Sequence, residues 1–253
     1  IMRRSIGIRD RLWARAMAVE GDNGEKAVLI TCDLVGMTAD ITSAVRALLR
    51  TGADLAPEQV MIAASHTHSG PSIGAFSGWG EAYPPYLHML PNCIAEAARR
   101  ALSDMEEGVL AEARVPCEGI GLNREYDRDA PPLAEVLDDS WRPAKPELTD
   151  TAAHVFTVRN TAGMLKGFVS AFGCHPVVCC QETRFIHGDY PGVATNWIER
   201  EHPGSVGLFL QGAEGDVNSC VVHKPETESL LALDVIAGRY ARAVRHGIAA
   251  ANV

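Results

Sequence analysis

Two kinds of connection alternate along this 253-residue sequence: tight turns join some of its apolar runs, and amphipathic helical patterns join others. The apolar runs at residues 12–20 and 26–33 are separated by Gly-Asp-Asn-Gly, whose residue types favour a β-hairpin. A second pair of runs, at 154–158 and 166–173, flanks Asn-Thr-Ala-Gly in the same way. Hairpins make antiparallel neighbours, whereas strand–helix–strand steps make parallel ones. The sequence therefore predicts an α/β fold with a mixed β-sheet that contains hairpins and is flanked by helices.

The remaining elements follow from the spacing of apolar residues. Helical spacing predicts helices at 39–50, 86–105, 191–201 and 226–250. Short apolar runs predict further strands at 60–65, 109–117 and 205–210. Residues 119–149 are rich in proline and charge and show no periodicity, so we expect a long irregular excursion there. A chain of this length fits one large domain, and we interpret residues 1–253 as a single one.

Charge and hydropathy exclude several classes of protein. The hydrophobic fraction of 47% and the charged fraction of 22% are those of a soluble globular protein. The net charge of −9 argues against nucleic acid as a partner, because phosphate binding needs clustered Lys and Arg. No apolar run approaches the roughly 20 residues that a transmembrane helix needs. The sequence gives no indication of the oligomeric state.

Cysteine usage is the guide to the cellular compartment. The seven cysteines are odd in number and contain no C-x-x-C pair, which favours buried thiols in a reducing compartment such as the cytoplasm. The chain begins at Ile1, so a signal peptide could have preceded it and secretion stays open.

Three polar segments that contain or adjoin glycine each follow a predicted strand. They are Ser-His-Thr-His-Ser-Gly-Pro at 65–71, Cys-His-Pro at 174–176 and Gln-Gly-Ala-Glu-Gly-Asp-Val-Asn at 211–218. Loops at strand ends assemble the active sites of α/β proteins, so one site could hold all three segments.

Histidines are the reactive residues of the first two segments. In an extended segment residues two apart point the same way, so His66 and His68 can face one cavity. Neutral imidazole binds zinc, and an imidazole that does not bind metal can act as an acid or base. Taken alone, His66 with His68 could equally be ordinary loop histidines, and His175 before a proline could be structural. The co-occurrence of the three segments favours a metal site.

A larger set of short motifs runs through the chain. They are Gly-Ile-Arg-Asp-Arg-Leu at 7–12 with Ala-Arg-Ala at 14–16, Thr-Cys-Asp-Leu at 31–34, the block at 66–71, Asn123-Arg124, Cys-His-Pro at 174–176, Gly-Asp-Tyr-Pro-Gly at 188–192, and the block at 210–218. In this order, and across almost the whole chain, the motifs resemble the neutral/alkaline non-lysosomal ceramidase family and its less characterised bacterial relatives. The block at 66–71 and the Gly215-Asp216 block are the specific ones.

The resemblance implies a zinc-dependent amidohydrolase that cleaves the N-acyl bond of a small-molecule or lipid amide with metal-activated water. It implies that His66 and His175 are metal ligands, that His68 lies near the reacting water and the substrate amide, and that Arg124 lines the catalytic pocket. Zinc lowers the pKa of bound water from about 15.7 toward 7, and a positioned Arg or His can stabilise a developing oxyanion.

The sequence departs from the family pattern in two places. Asn218 stands where ceramidases carry a serine, so the serine's role does not transfer, although Asn218 could donate a hydrogen bond as a catalytic residue. The family completes its zinc site with a Glu and a Tyr far downstream, and this chain ends before any matching motif. We therefore expect a fragment of the catalytic domain that lacks its N-terminal start and the downstream part. Two histidines are too few to hold zinc tightly, so zinc is expected to be weakly bound or absent.

Two other functions stay open. A degenerate, non-catalytic ceramidase-like binding protein would be consistent with Asn218 and the missing ligands. A metallophosphodiesterase would require more Asp and Asn ligands. Four more residues are candidates for either support of the site or ordinary structure: Asp33 at a strand end, Asp189 and Tyr190 at an expected helix N-cap, and the unassigned His187. We expect the other histidines on the surface or in packing: His88, His154, His202, His223 and His246.

Overall fold

The computed structural model describes residues 4–74, 76–129, 132–180 and 183–252. The strands there are β1 (Gly7–Ile8), β2 (Ala14–Glu20), β3 (Lys26–Cys32), β4 (Val60–Ala64), β5 (Gly108–Pro116), β6 (Gly121–Asn123), β7 (Ala152–Asn160), β8 (Leu165–Phe172), β9 (Phe185–Ile186), β10 (Val206–Gln211) and β11 (Val217–Ser219). The helices are α1 (Ala39–Ala53), α2 (Pro84–Ser103), α3 (Leu133–Val136), α4 (Asp189–Glu201) and α5 (Glu226–Ala250), with 3₁₀ turns at Pro57–Gln59 and Pro146–Leu148.

The first sheet has the strand order β2-β3-β4. β2 and β3 form the predicted hairpin, with Ala14 opposite Cys32, and β4 joins β3 in parallel. α1 provides the crossover between β3 and β4, and its N-cap is Thr38, whose hydroxyl accepts from the Ile41 N–H. The buried faces of α1 and α2 pack with β3 and β4 into one apolar core that contains Ile30, Leu49 and Ile94.

The second sheet has the strand order β10-β8-β7-β5. β10 is parallel to β8, whereas β8, β7 and β5 are antiparallel neighbours. α4 and α5 pack with this sheet around a second core, in which Phe168, Tyr190 and Tyr240 are buried. Both sheets mix hairpins with a strand–helix–strand step and are flanked by helices. The predicted fold class is confirmed.

Two pairs of very short strands complete the topology. β1 pairs with β9 in parallel, and β6 pairs with β11 in antiparallel fashion. β6 lies inside the stretch that the sequence indicated as irregular, which also holds α3 and a 3₁₀ turn. The β6–β11 pair matters for the site, because it brings the segment before Arg124 beside the segment that contains Asn218.

Across the described ranges, no helix is long and apolar enough to cross a membrane.

Candidate metal centre

His66 and His68 lie in the loop that follows β4. The His66 N–H donates to the Leu34 carbonyl, and His66 adopts a left-handed backbone conformation with φ of 64°. The expectation of an extended segment around the two histidines was therefore wrong, because the loop after β4 bonds back to the residues after β3. The two rings nevertheless lie side by side in an edge-to-face arrangement, with centroids 4.9 Å apart. The juxtaposition that we had attributed to strand alternation therefore arises in a loop whose first histidine has a left-handed backbone.

His175 joins these two rings from another strand end. It follows β8 and forms an isolated parallel bridge with Asn218. Its ring centroid lies 5.0 Å from that of His66 and 6.0 Å from that of His68. One ring nitrogen from each of the three residues can be chosen so that all lie within 4.8 Å of one another. Two histidines were expected as metal ligands, whereas the structure brings three imidazoles together.

In His66 and in His175, a hydrogen bond at one ring nitrogen leaves the other ring nitrogen free for a metal. Nδ1 of His66 lies 2.5 Å from the Val35 carbonyl oxygen, and Nδ1 of His175 lies 2.7 Å from that of Glu214. A carbonyl oxygen only accepts, so each Nδ1 carries the proton and each Nε2 presents a lone pair. Metal-binding histidines typically donate the second N–H in this way, which fixes both tautomer and ring orientation.

Burial keeps these imidazoles in the form that binds metal. Burial lowers the pKa of His66 and of His175. It also lowers the pKa of His68 to about 4, and the charges of His66, His175 and Arg124 add to this effect. Since zinc and related metals bind the neutral imidazole, the set is ready for a metal near neutral pH.

Glu214 is a site residue that the sequence did not identify. Its Oε1 lies 3.6 Å from Nε2 of His66, while its Oε2 is buried and has no hydrogen-bond partner. Burial raises the pKa of the Glu214 carboxyl to about 7, against the opposing effect of Arg124. The flanking Gly residues indicated only that the backbone there runs close to another group. An acidic side chain in a glycine-flanked loop after a strand was the available signal.

Arg124 and Asn218 lie together at the β6–β11 pair. The Arg124 N–H donates to the Asp216 carbonyl over 2.7 Å, and its Nη1 donates to Oδ1 of Asn218 over 3.5 Å. Burial is the main cause of the lowered pKa of His68 and of His175, and the positive charge of Arg124 adds to it in both rings. The structure thus brings together all five residues that the sequence named as site residues: His66, His68, His175, Arg124 and Asn218.

An aromatic pair lies beside the imidazoles. The Trp79 ring centroid is 5.2 Å from that of His68, and the Phe76 ring is 4.9 Å from Trp79. Both side chains keep more than a third of their surface exposed, at 38% for Trp79 and 40% for Phe76. This apolar surface next to His68 was not identified from the sequence, because the loop lacks any periodic pattern.

The four further candidates lie in the framework around the centre. Asp33 is buried and accepts hydrogen bonds from the Trp13 N–H and from Arg15. Asp189 is the first residue of α4, one position beyond the N-cap, and accepts from the Cys179 N–H. The hydroxyl of Tyr190 donates to the Cys174 carbonyl over 2.8 Å, directly before His175.

His187 is fully buried, and its Nδ1 accepts from the Asp189 N–H over 3.1 Å. The remaining five histidines are exposed or partly exposed, as expected: His88, His154, His202, His223 and His246.

The donors present fit a transition metal. Three neutral imidazoles are the ligand type that zinc prefers, and Nε2 of His68 is buried without a hydrogen-bond partner, as is Oε2 of Glu214. A buried polar atom without a partner is costly, so its presence indicates a group that the site is built to receive.

Comparison with known proteins identifies the family and the fold. The model of the neutral/alkaline non-lysosomal ceramidase family, N-terminal part, matches residues 1–228. The neutral ceramidase from Pseudomonas aeruginosa has the same fold, with a TM-score of 0.82 and 21% sequence identity over 96% of this chain. A second solved structure, a ceramidase complexed with C2, also gives a TM-score of 0.82 at 21% identity, over 98% of this chain. The chain spans 40% of the length of either structure.

Fold and site together define a layered α/β protein with a candidate metal centre on the loops that follow its strands. The chain belongs to the neutral/alkaline non-lysosomal ceramidase family. The resemblance seen in the sequence motifs is confirmed.

Proposed function

We propose that the protein is a zinc-dependent hydrolase of ceramidase type, which cleaves an amide (N-acyl) bond with water activated at the metal. The observation that carries this proposal is the orientation of the imidazoles, since His66 and His175 each donate Nδ1–H to a carbonyl and leave Nε2 free beside His68. When bound, zinc supplies a Lewis acid and lowers the pKa of water from about 15.7 toward 7.

The side chains around the metal ligands have distinct roles in this proposal. His66 and His175 hold the metal. His68 is neutral at the working pH, and its buried Nε2 is free to exchange a hydrogen bond or a proton with the substrate amide. Arg124 stabilises the negative charge that develops on the carbonyl oxygen. Asn218 accepts from Arg124 and orients the guanidinium, a positioning role in place of the serine found in ceramidases.

The substrate class follows from the surface beside His68. Exposed Phe76 and Trp79 offer an apolar contact next to the reacting groups. Aromatic rings of this kind bind acyl chains through burial of apolar area. We therefore propose an amide that carries an apolar acyl chain, such as a lipid amide.

The decisive experiment is turnover by the complete protein after removal of metal and reconstitution with zinc. Ceramides of short and long acyl chain and other N-acyl compounds are offered, and the released fatty acid is quantified. We expect zinc-dependent release. If the protein binds one equivalent of zinc and still cleaves none of these amides, the amidohydrolase proposal is wrong.

A variant pair tests the role of Arg124. Arg124→Ala should lower kcat by about 100-fold, as expected for loss of a group that stabilises an oxyanion, with the zinc content unchanged. Arg128→Ala is the matched control, because Arg128 lies nearby on the same loop. The hydrogen bonds that the structure gives for its side chain go to Glu125. Equal turnover by the two variants would contradict the role of Arg124.

The hydrogen bond between Arg124 and Asn218 favours a second candidate function, a non-catalytic binding protein. By the family resemblance Asn218 stands where ceramidases carry a serine, and here its Oδ1 accepts from Arg124. Such a protein would bind zinc and a lipid amide without turnover, so the same assay, combined with direct binding of a non-hydrolysed amide, separates the two functions. The imidazole-rich donor set does not favour a metallophosphodiesterase, which would need more Asp and Asn ligands.

A further inference from the structure

The carboxylate of Glu214 lies against the metal-binding face of His66. Its Oε1 is 3.6 Å from Nε2 of His66, and its Oε2 is buried without a hydrogen-bond partner. Since Nδ1 of His66 donates to the Val35 carbonyl, Nε2 carries a lone pair. A carboxylate oxygen and an imidazole lone pair therefore face each other, and two such acceptors repel unless a cation or a proton lies between them.

The distance between Oε1 of Glu214 and Nε2 of His66 decides whether a proton or a cation lies between them. A hydrogen bond from nitrogen to oxygen spans about 2.7–3.2 Å, so a shared proton is a poor fit to 3.6 Å. Two ligand atoms bound to one tetrahedral zinc ion, at about 2.0–2.2 Å each, lie about 3.3–3.6 Å apart. The separation of these two atoms in the structure is that of two ligands of the same ion.

The backbone of Glu214 has a related role. Its carbonyl oxygen accepts the Nδ1–H of His175 over 2.7 Å and so orients the second imidazole. One residue of the loop after β10 thus positions His175 through its main chain and reaches His66 through its side chain. A loop that only supported the fold would have no need for a partly buried acidic side chain at this point, where its Oε2 is shielded from solvent without a hydrogen-bond partner.

We propose that Glu214 is a metal ligand, which supplies a carboxylate oxygen to the same ion as His66 and His175. This inference rests on the proposed metal site. It means that the chain holds a carboxylate donor of its own beside the imidazoles, and that zinc is bound more tightly than two histidines alone would allow.

Metal binding by purified, metal-free protein tests the ligand role without any reliance on turnover. Zinc affinity is measured by competition with a chromophoric chelator, and the ligand sphere is followed through the visible absorption of bound Co²⁺. Glu214→Gln keeps the size of the side chain and the backbone carbonyl that His175 needs, so we expect an intact fold by circular dichroism. The zinc affinity should fall by at least about 10- to 100-fold, and the Co²⁺ spectrum should change.

Glu118→Gln is the matched control. Glu118 is half exposed and pairs with Arg142 at a distance of 2.8 Å, so its loss should leave both readouts unchanged. A Glu214→Gln protein with the zinc affinity and Co²⁺ spectrum of the unaltered protein overturns the ligand role, even if turnover is lost, because the carboxylate then acts on substrate or water instead.

The outcomes also separate this inference from the proposed function. Protein that binds zinc through Glu214 but hydrolyses no amide would overturn the function and leave the ligand in place. Protein that hydrolyses amides with zinc, and binds zinc equally well after Glu214→Gln, would overturn only the ligand.

Discussion

Nδ1 of His175 donates a 2.7 Å hydrogen bond to the carbonyl oxygen of Glu214, so the loop after β10 sets the orientation of a ring that follows β8. The two strands are parallel neighbours, with Phe172 opposite Gln211 at their ends. Because the carboxyl ends of parallel strands meet at one edge of a sheet, the loops that follow them converge there. Topology alone thus brings two segments from distant parts of the chain into one site.

Loss of a ring from this site should abolish tight metal binding. His175→Ala removes one imidazole and leaves His66 with a single ring beside it, so we expect the zinc affinity to fall by more than the roughly 10- to 100-fold that is typical for loss of a supporting group. His246→Ala is the control, since that side chain is exposed on α5. Competition with a chelator measures both. Full-strength zinc binding by His175→Ala would rule out His175 as a ligand.

The buried His187 should make the free energy of unfolding depend on pH. Burial lowers its pKa to about 3, with Arg9 adding to the effect, whereas an unfolded histidine titrates near about 6.5. Between these values the unfolded state binds the extra proton, so the stability that His187 contributes is present above about pH 6.5 and is lost as the pH falls. The neighbouring Asp189 affects the pH dependence of stability in the opposite direction. Burial raises its pKa to about 6, so the stability that it contributes is lost as the pH rises to that value.

The variant His187→Asn isolates this effect in metal-free protein. The asparagine oxygen can still accept from the Asp189 N–H, but it does not titrate. Urea unfolding between about pH 5 and 6.5 should show a slope that is smaller by up to about 1.4 kcal/mol per pH unit than in the unaltered protein. Asp189 is present in both proteins, so its contribution largely cancels. Identical slopes would show that His187 is protonated in the folded state.

Arg15 connects the first sheet with α4, and its loss should be costly. Its Nε lies 2.8 Å from Glu199 and its Nη1 lies 3.4 Å from the buried Asp33, and only 7% of the Arg15 side chain is exposed. Arg15→Met leaves Asp33 buried without its cation, so we expect a loss of about 3–5 kcal/mol in the free energy of unfolding. Arg100→Met breaks an exposed pair with Glu96 and should cost less than about 1 kcal/mol. Equal losses in urea unfolding would contradict the role of Arg15.

Local patterns in the sequence were enough for the long elements of the fold. The apolar spacing at residues 226–250 predicts α5 with the bounds that the structure shows, and the turn residues between the first two apolar runs predict the β2–β3 hairpin. Such patterns depend on residues a few positions apart. β1 and β9 have only two residues each, and each is stabilised by a partner from the other end of the chain, so no local pattern indicates either one.

Local sequence patterns likewise identified only part of the site. His66 and His175 could be recognised because each directly follows a predicted strand, and Arg124 and Asn218 were reached through the family resemblance. Trp79 could not be recognised, and the only signal for Glu214 was its place in a polar, glycine-containing loop after a predicted strand. What matters for these two side chains is which ring they meet, and that depends on how distant loops pack rather than on the residues beside them.

The same substitution at two glycines of α5 should have opposite effects on stability. A Cβ atom at Gly247 would lie 2.4 Å from Cγ2 and 2.6 Å from Cβ of Val155 on β7, whereas a Cβ atom at Gly238 would meet nothing within 4 Å. Alanine in a helix gains about 0.5–1 kcal/mol over glycine, so Gly238→Ala should raise the free energy of unfolding by about that amount. At Gly247 the clash with a β-branched neighbour outweighs this gain, and we expect a net loss of about 1–3 kcal/mol.

Urea unfolding of the two single variants tests whether the stability changes have opposite signs. The double variant Gly247→Ala with Val155→Ala tests whether the clash with Val155 causes the loss at Gly247. Removal of the Val155 methyl groups takes away the contacts with Cγ1 and Cγ2 and leaves only the contact with Cβ, so the double variant should lose less stability than the sum of its two single changes. Stabilisation by alanine at both glycines would show that α5 shifts away from β7 at little cost. Strict additivity in the double variant would show that the methyl groups of Val155 are not what the new Cβ meets.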